Sequence, residues 1–423
     1  MHHMRYTFIL LLLTGSGFSC ASPEEYFKDQ IQEPVYLPYN SEVERVKAAG
    51  DPMKTESSIV NGDVPAQDEI VLQEEQGRAF ISSMDGWIWK LNLKDKTAEQ
   101  YVKSPLLPAG MAQHPKNPDI IFFCVSRGKI QNQDPDNDPG IYELTISTRK
   151  IRKIGTRVPF ADKSLKPADG QIGITLANSA QKKIPFAQMN SSNSRVVEKA
   201  DDHAVSLDGE RIYFTEPYDH ANAILGVSAQ SRNEILTLGR NGHLWMYDLK
   251  NGTASLVAYK YAYLDGLLLE YANGGEKETS IIVDELSKSR LLRLYLSGPK
   301  AGSDEITIEG IPGLPDGIDR DDKGRIWMAL VAERSRLVTW LHAHPSWKRL
   351  MLYLPERLIP LSKKTGIVAV SPDGKTPLYY TMHDGDLFSF VVAVIPGKDR
   401  IYLVVYKDGL KGLRTIPYPE GLR

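Results

Sequence analysis

One run in the sequence is spaced like a cation-binding loop: Asp134-Pro135-Asp136-Asn137-Asp138-Pro139-Gly140. An EF-hand loop needs its glycine at the sixth position and a bidentate glutamate at the twelfth. Here the glycine falls one place late and no glutamate closes the run at the right distance, so it reads as an acidic surface turn. No group of His and Cys stands at zinc spacing. Of the two cysteines, Cys124 lies in the apolar run Ile120-Ile121-Phe122-Phe123-Cys124-Val125, which reads as a buried strand, so its thiol is core rather than reactive. Cys20 lies near the start of the chain, and no disulfide framework is available. There is no Gly-X-Ser-X-Gly elbow and no phosphate-cradling glycine loop, which argues against a serine hydrolase or a nucleotide enzyme. Asn190-Ser191-Ser192 and Asn251-Gly252-Thr253 match a glycosylation pattern, which matters little if the source is bacterial.

The elements that must position any site are short strands. The 423 residues are 42% hydrophobic and 25% charged, enough for a large core. Lys and Arg number 51 against 53 Asp and Glu, with no basic stripe, so nucleic acid is not an expected partner. The 33 Gly and 26 Pro fall in turn-like clusters along the chain and point to an all-β fold.

Two phrases repeat. One is an apolar strand, a glycine turn and an aromatic strand, as in Phe80-Ile81-Ser82-Ser83-Met84-Asp85-Gly86-Trp87-Ile88-Trp89 and again in Leu238-Gly239-Arg240-Asn241-Gly242-His243-Leu244-Trp245. Asp-Gly and Asn-Gly favour type I′ turns, so each copy predicts a hairpin. The second phrase runs Val205-Ser206-Leu207-Asp208-Gly209 into Ile212-Tyr213-Phe214. It returns at 318–328 and at 368–380. A spacing of roughly fifty residues, or a multiple of it, suits a four-stranded propeller blade, and the folded length then allows about six blades. A large β-sandwich or two stacked β-domains is the alternative. The expected organisation is a signal peptide over 1–21, a tether with the first strands over 22–67, and a six-bladed β-propeller over 68–423 with a short helical insertion in a late blade.

At this point the residues resemble a known family. Lys199-Ala200-Asp201-Asp202-His203-Ala204-Val205, running on to Tyr213-Phe214-Thr215-Glu216-Pro217, is similar to a strictosidine-synthase-like blade in which Asn-Asp precedes a strand ending Tyr-Phe-Thr-Asp. Tyr263-Leu264-Asp265-Gly266-Leu267, Ile282-Val283-Asp284-Glu285, Ser289-Arg290-Leu291-Leu292-Arg293-Leu294-Tyr295 and Leu314-Pro315-Asp316-Gly317-Ile318 resemble further strands and turns of that family, in the same order. The stretch from Trp347-Lys348-Arg349-Leu350 to Leu354-Pro355 resembles its Pro-Trp-(Leu/Ile)-Lys-Arg segment. The N-terminal third matches weakly. The resemblance is to the superfamily that includes gluconolactonases, regucalcin and paraoxonases.

That resemblance implies a Ca²⁺ ion in the propeller channel, or another divalent cation, held by residues that begin the inner strands. Carried over, the positions are Asp68, Asp201, Asp265 and Asp316, with Glu69 as the alternative to Asp68 if the first register slips by one. Asp201 and Asp265 stand where the family has Asn. Converging carboxylates would repel one another and raise each other's pKa, a cost that a cation removes. The implied reaction is metal-assisted hydrolysis of a lactone or ester, with Asp202 as first candidate for the base and His203 and His383 behind it. In an alternating strand Asp202 and His203 cannot both face the channel unless the strand bends. The competing expectation is a non-catalytic propeller that binds a ligand or a protein at the cell envelope.

Leu337, Trp340, Leu341, Trp347 and Leu350, interspersed with Arg334, Arg336, Lys348 and Arg349, predict an amphipathic helix. A lid over the channel or packing across a propeller face is the expected use, ahead of membrane contact. At the N-terminus, Arg5 and the apolar run from Phe8 to Thr14 have signal-peptide length. Export is expected, to the periplasm or to the outer envelope, either through lipidation of Cys20 and membrane attachment or by ordinary cleavage after Ala21. The expected partner is a small-molecule lactone or ester, bound by a monomer.

Overall fold

Runs of β-branched and aromatic residues between turn signals fold as strands, and the strands pair antiparallel, mostly in fours. The computed structural model describes residues 27, 33–129, 136–272, 274–354, 362–406 and 412–423. Residues 1–26, which include the expected signal segment and Cys20, the residues Asp134 and Pro135 of the acidic run, and Pro355 lie outside the described residues. Blade 1 comprises Gln67–Gln73, Arg78–Ser83, Trp87–Asn92 and Ala98–Lys103, and blade 2 comprises Leu107–Gln113, Ile120–Ser126, Gly140–Thr145 and Lys150–Gly155. Blade 3 is built from His203–Val205, Arg211–Glu216, Gly242–Asp248 and Thr253–Tyr261, and blade 4 from Leu264–Tyr271, Glu278–Glu285, Arg290–Tyr295 and Asp304–Glu309. Gly313–Arg320, Ile326–Glu333, Thr365–Val370 and Pro377–His383 form blade 5. Blade 6 takes Val391–Pro396, Arg400–Val405 and Leu413–Pro417 from the C-terminal end and borrows Ser58–Asn61 as its outermost strand.

The first strand of each blade touches the first strand of the next, round to blade 1 again. The molecule is therefore a mainly β six-bladed propeller with few short helices. Pairing of Ser58 with Thr415 and Ile59 with Arg414 closes the ring through strands from opposite ends of the chain. Blade faces bury their apolar residues against each other: Phe80, Phe123 and Tyr142 pack between blades 1 and 2, and Trp327, Ile367 and Leu403 between blades 5 and 6.

The recurring turn differs from the expected type I′. In Ser83-Met84-Asp85-Gly86 the Gly86 amide donates to the Ser83 carbonyl at 3.0 Å, and only Gly86 has positive φ, at 85°. Asp85 occupies the third turn position and accepts from the Trp87 amide. Ser206–Gly209 and Ser371–Gly374 close in the same way, so the Ser-X-Asp-Gly phrase makes a turn in which the aspartate caps the next strand. The second predicted hairpin, across Asn241-Gly242, does not form. The residues before it end helix α3 (Ala229–Thr237), and Leu238 caps that helix in the left-handed region at φ 56°.

Helices α1 (Ser41–Arg45) and α2 (Pro52–Thr55) lie on the outer strand of blade 5, on the way to the closing strand of blade 6. Helix α3 is inserted between the second and third strands of blade 3. Helices α4 (Arg336–His342) and α5 (Pro345–Met351) occupy the corresponding position in blade 5. Both insertions rise on the face where the innermost strands begin. The predicted amphipathic helix is thus two short helices, and its inward side is made by Leu341, His342, Lys348 and Leu352. Leu337, Trp340, Trp347 and Leu350 face outward, so packing across a propeller face does not account for them.

Candidate functional site

Five of the six innermost strands carry a register irregularity at the same height. The register shifts between Gln67 and Ile70, Pro108 and Met111, Leu264 and Leu267, Pro315 and Ile318, and Val391 and Ala393. A bulge breaks strict alternation, so two consecutive residues can both turn toward the channel. In blade 3 the pair Asp201-Asp202 sits just ahead of the strand. The bend that the sequence demanded for adjacent channel residues is therefore shared by five inner strands, and in blade 3 the pair lies ahead of the strand instead.

The first member of the pair looks toward the helical face. Asp68, Asp201, Asp265 and Asp316 line one cavity together with Lys199, Tyr263 and Val392. The second member looks toward the opposite opening, which Glu69 and Asp202 line with His203 and Asp319. Where the second member is glycine, its missing side chain lets neighbouring backbones meet. A Cβ on Gly266 would lie 2.7 Å from the Ile318 amide nitrogen and 2.9 Å from the Asp316 carbonyl. The Gly266 amide also donates to Asp284 Oδ2 at 2.9 Å, which draws a carboxylate from the second strand of blade 4 to the ring. The other oxygen of Asp284 is buried without a hydrogen-bond partner.

Five acids, Asp68, Asp201, Asp265, Asp284 and Asp316, thus meet one ammonium. Lys199 is 2% exposed, its Nζ lies 2.9 Å from Asp201 Oδ2 and 3.2 Å from the Tyr263 hydroxyl, and it stands 5.2 Å over the rings of both Tyr218 and Tyr263. Tyr263 holds that position from a left-handed backbone at φ 59°, a conformation that a bulky residue rarely adopts. Burial opposes the charge on Lys199, but Asp201 and the two tyrosines outweigh it and keep the ammonium pKa above its ordinary value. The acids go the other way. Burial, then Asp201 and Asp316, push Asp68 well up, and burial with neighbouring carboxylates does the same to Asp265, Asp284 and Asp316. At the other opening burial raises Asp202 and Asp319 to about 7 and lifts Glu69 well above the usual range.

The donor set has the chemistry of a hard divalent cation site: oxygen only, carboxylate-rich, buried or half-buried, with five carboxylates set against Lys199 and the Arg232 that also lines the cavity. No three of its oxygens converge as tightly as Asp51, His383 and Asp384, whose ligand atoms all lie within 4.8 Å. That second group is on the rim. His383 ends the outer strand of blade 5, its Nδ1 is 2.7 Å from Asp51 Oδ2, and its Nε2 accepts from the Leu387 amide. Lys54 pairs with both Asp384 and Asp386 beside it. His383 therefore ties α2 to blade 5, away from the channel, and does not serve as a base there.

His203 is also set back from the acid cavity. It is buried between blades 2 and 3 with Nδ1 3.5 Å from Cys124 Sγ, and burial lowers its pKa to about 4. Asp202 accepts from the His203 amide and lines the opening opposite the cavity of Asp201. The structure thus brings together Asp68, Asp201, Asp265 and Asp316 and separates them from Glu69, Asp202 and His203. Sequence reasoning passed over Lys199, Asp284 and Asp319. Lys199 stands two residues before Asp201, the spacing that puts both on one face of an extended segment, and that was the available signal.

No family model matches the chain. Over 122 residues it is 31% identical to the Arabidopsis thaliana protein strictosidine synthase-like 10, covering 29% of this chain and 31% of that one. It is 25% identical over 213 residues to adipocyte plasma membrane-associated protein of Bos taurus, 48% of each chain. The matches thus span a third to a half of those relatives. Among solved structures, a gluconolactonase from Xanthomonas campestris superposes with a TM-score of 0.52 at 12% identity, covering 92% of this chain and 96% of that one. A luciferin-regenerating enzyme gives 0.50 at 12% identity, with 86% and 94% covered. In its fold and in the order of its matching segments, the chain is similar to the strictosidine-synthase-like and gluconolactonase six-bladed β-propellers.

Proposed function

We propose that the protein hydrolyses a lactone or ester at the helical mouth of its channel, with a divalent cation, calcium by the chemistry of the donors, as the resident partner of the acid ring. The observation that carries this reading is the one cavity shared by Asp68, Asp201, Asp265 and Asp316. When bound, the cation would supply a Lewis acid for the substrate carbonyl. Asp68, Asp265 and Asp316 would hold it, because Asp201 is engaged by Lys199. Lys199, fixed by Asp201 and Tyr263, presents an immobile ammonium in the same wall, suited to an oxyanion. Leu225, Val227, Ile235, Leu314 and Phe390 give the cavity an apolar wall beside Ser231, Arg232 and Tyr406, which suits the carbon skeleton of such a substrate with its polar substituents. A carboxylate of this cavity is better placed than Asp202 or His203 to accept the proton of the attacking water.

The leader-like start and Cys20 support export, with the propeller in the periplasm or attached to the envelope membrane, working as a monomer on a small molecule. A second reading, a non-catalytic binding propeller, is favoured by one observation: Lys199 already balances part of the charge where the family has a metal. A panel of aliphatic lactones and aryl esters, assayed with wild type and Asp316→Ala, separates the two. Turnover by wild type that Asp316→Ala loses while keeping its fold supports the hydrolase. Absence of turnover across the panel, with a ligand still bound in the channel, supports the binding propeller.

A further inference from the structure

The outward face of the helical cap is apolar and unusually charged for this chain. Leu337, Trp340, Trp347 and Leu350 are 59%, 45%, 51% and 52% exposed, and the rings of Trp340 and Trp347 lie 6.4 Å apart, so the four form one patch. From Arg336 to Met351 the sequence holds Arg336, Lys348 and Arg349 and no acidic residue, although the whole chain carries a formal charge of -2. A contiguous apolar patch flanked by arginine is a docking surface rather than ordinary exposure. Tryptophan beside basic residues is the composition that settles at the headgroup level of a bilayer.

A second observation fixes which surface covers it. Phe27 is 1% exposed and packs with Leu236 of α3, Leu341 of α4 and Met351 and Leu352 at the end of α5. Further on, the Val35 amide donates to the His342 carbonyl at 2.8 Å, and Arg334 donates to the carbonyls of Leu37 and Pro38. The chain therefore leaves the apolar leader and reaches the propeller on this cap. Cys20 is seven residues before Phe27, a reach of at most about 25 Å for extended chain. With a lipid on Cys20, or with the apolar run retained, the cap is where the attached chain meets the propeller; after cleavage at Ala21 the patch itself is the contact.

We propose that the α4–α5 face docks on a lipid bilayer, with Trp340, Trp347, Leu337 and Leu350 entering the interface and Arg336 and Arg349 facing anionic headgroups. The mouth of the channel, roofed by α3 beneath this cap, then faces the membrane side. The proposal goes beyond the hydrolase reading and stands without it, because it concerns contact and not turnover.

The test uses the full chain reconstituted in phosphatidylglycerol–phosphatidylcholine vesicles whose acyl chains are brominated. Bromine quenches only tryptophans that enter the bilayer, so wild-type emission should fall relative to unbrominated vesicles, by up to the share of two tryptophans among six. The variant carrying Trp340→Phe and Trp347→Phe should lose that quenching and keep the wild-type melting temperature, since both rings are exposed. Both proteins are compared at equal vesicle-bound fraction, measured by co-flotation, so the readout reports contact rather than recruitment. Equal quenching in the two proteins, or none in wild type, overturns the proposal. So does a lipid-free dimer in sedimentation that the double substitution dissociates, which would assign the patch to a second copy of the chain.

Discussion

Replacing Lys199 with Met keeps the length of the side chain and removes its charge from the acid cavity. At 2.9 Å and an effective dielectric near 20, the attraction between Lys199 and Asp201 is about 6 kcal/mol before desolvation. Breaking a buried pair by deleting one partner costs about 3–5 kcal/mol, because the remaining charge is left uncompensated. Unfolding entropy of about 2.1 cal/mol/K per residue over roughly 360 folded residues is about 0.8 kcal/mol/K, so the expected fall in melting temperature is about 4–6 °C. The assay is calorimetric melting near pH 8 in chelator, where no bound cation masks the effect. Asp201→Asn in the Lys199→Met background should recover most of the loss, since it removes the orphaned charge. Calcium should stabilise Lys199→Met more than wild type, because Asp201 is then free to join the ligands. Equal melting of wild type and Lys199→Met in chelator would refute the idea that this ammonium balances the acid ring.

Two other outcomes follow from the same geometry. Asp202 and Asp319 are raised to about 7 in the folded protein, above the value of an exposed aspartate, so the stability they contribute is complete at low pH and is lost as pH rises through about 7. In chelator the melting temperature should therefore fall between about pH 5 and pH 8, and the increment added by calcium should grow over that range, where protons no longer compete for the acids; a melting temperature that rises with pH in chelator would contradict this. Gly266→Ala should destabilise by about 1–3 kcal/mol by forcing the inner strands of blades 4 and 5 apart, whereas Gly62→Ala, whose Cβ would meet nothing within 4 Å, should melt like wild type.

Fold was legible because blades repeat: the turn phrase recurs at a spacing of about one blade or a multiple of it, and the folded length holds that period about six times. The turn at Asn241-Gly242 was misread for a physical reason. Its glycine sits where the blade 3 strand crowds Tyr261 and Leu264, and the segment before it is helical rather than extended. Asp265 and Asp316 could be placed because the segments around them resemble inner-strand starts of the family, and the structure shows that the glycine after each lets inner strands meet. Asp284 could not, since it enters the site from a second strand through the space over Gly266, a contact that no sequence spacing records. His383 was misplaced because a strand-end histidine reads the same on the innermost strand as on the outermost, and only the pairing of Pro377–His383 with Thr365–Val370 puts it at the rim.

The most direct test of the acid ring as a reaction centre is to titrate the chelated protein with calcium while following both heat and hydrolysis of a responsive lactone. One binding event per chain, with turnover rising along the same isotherm and both lost in Asp316→Ala, is the expected result. Hydrolysis that is indifferent to calcium and survives Asp316→Ala would contradict it.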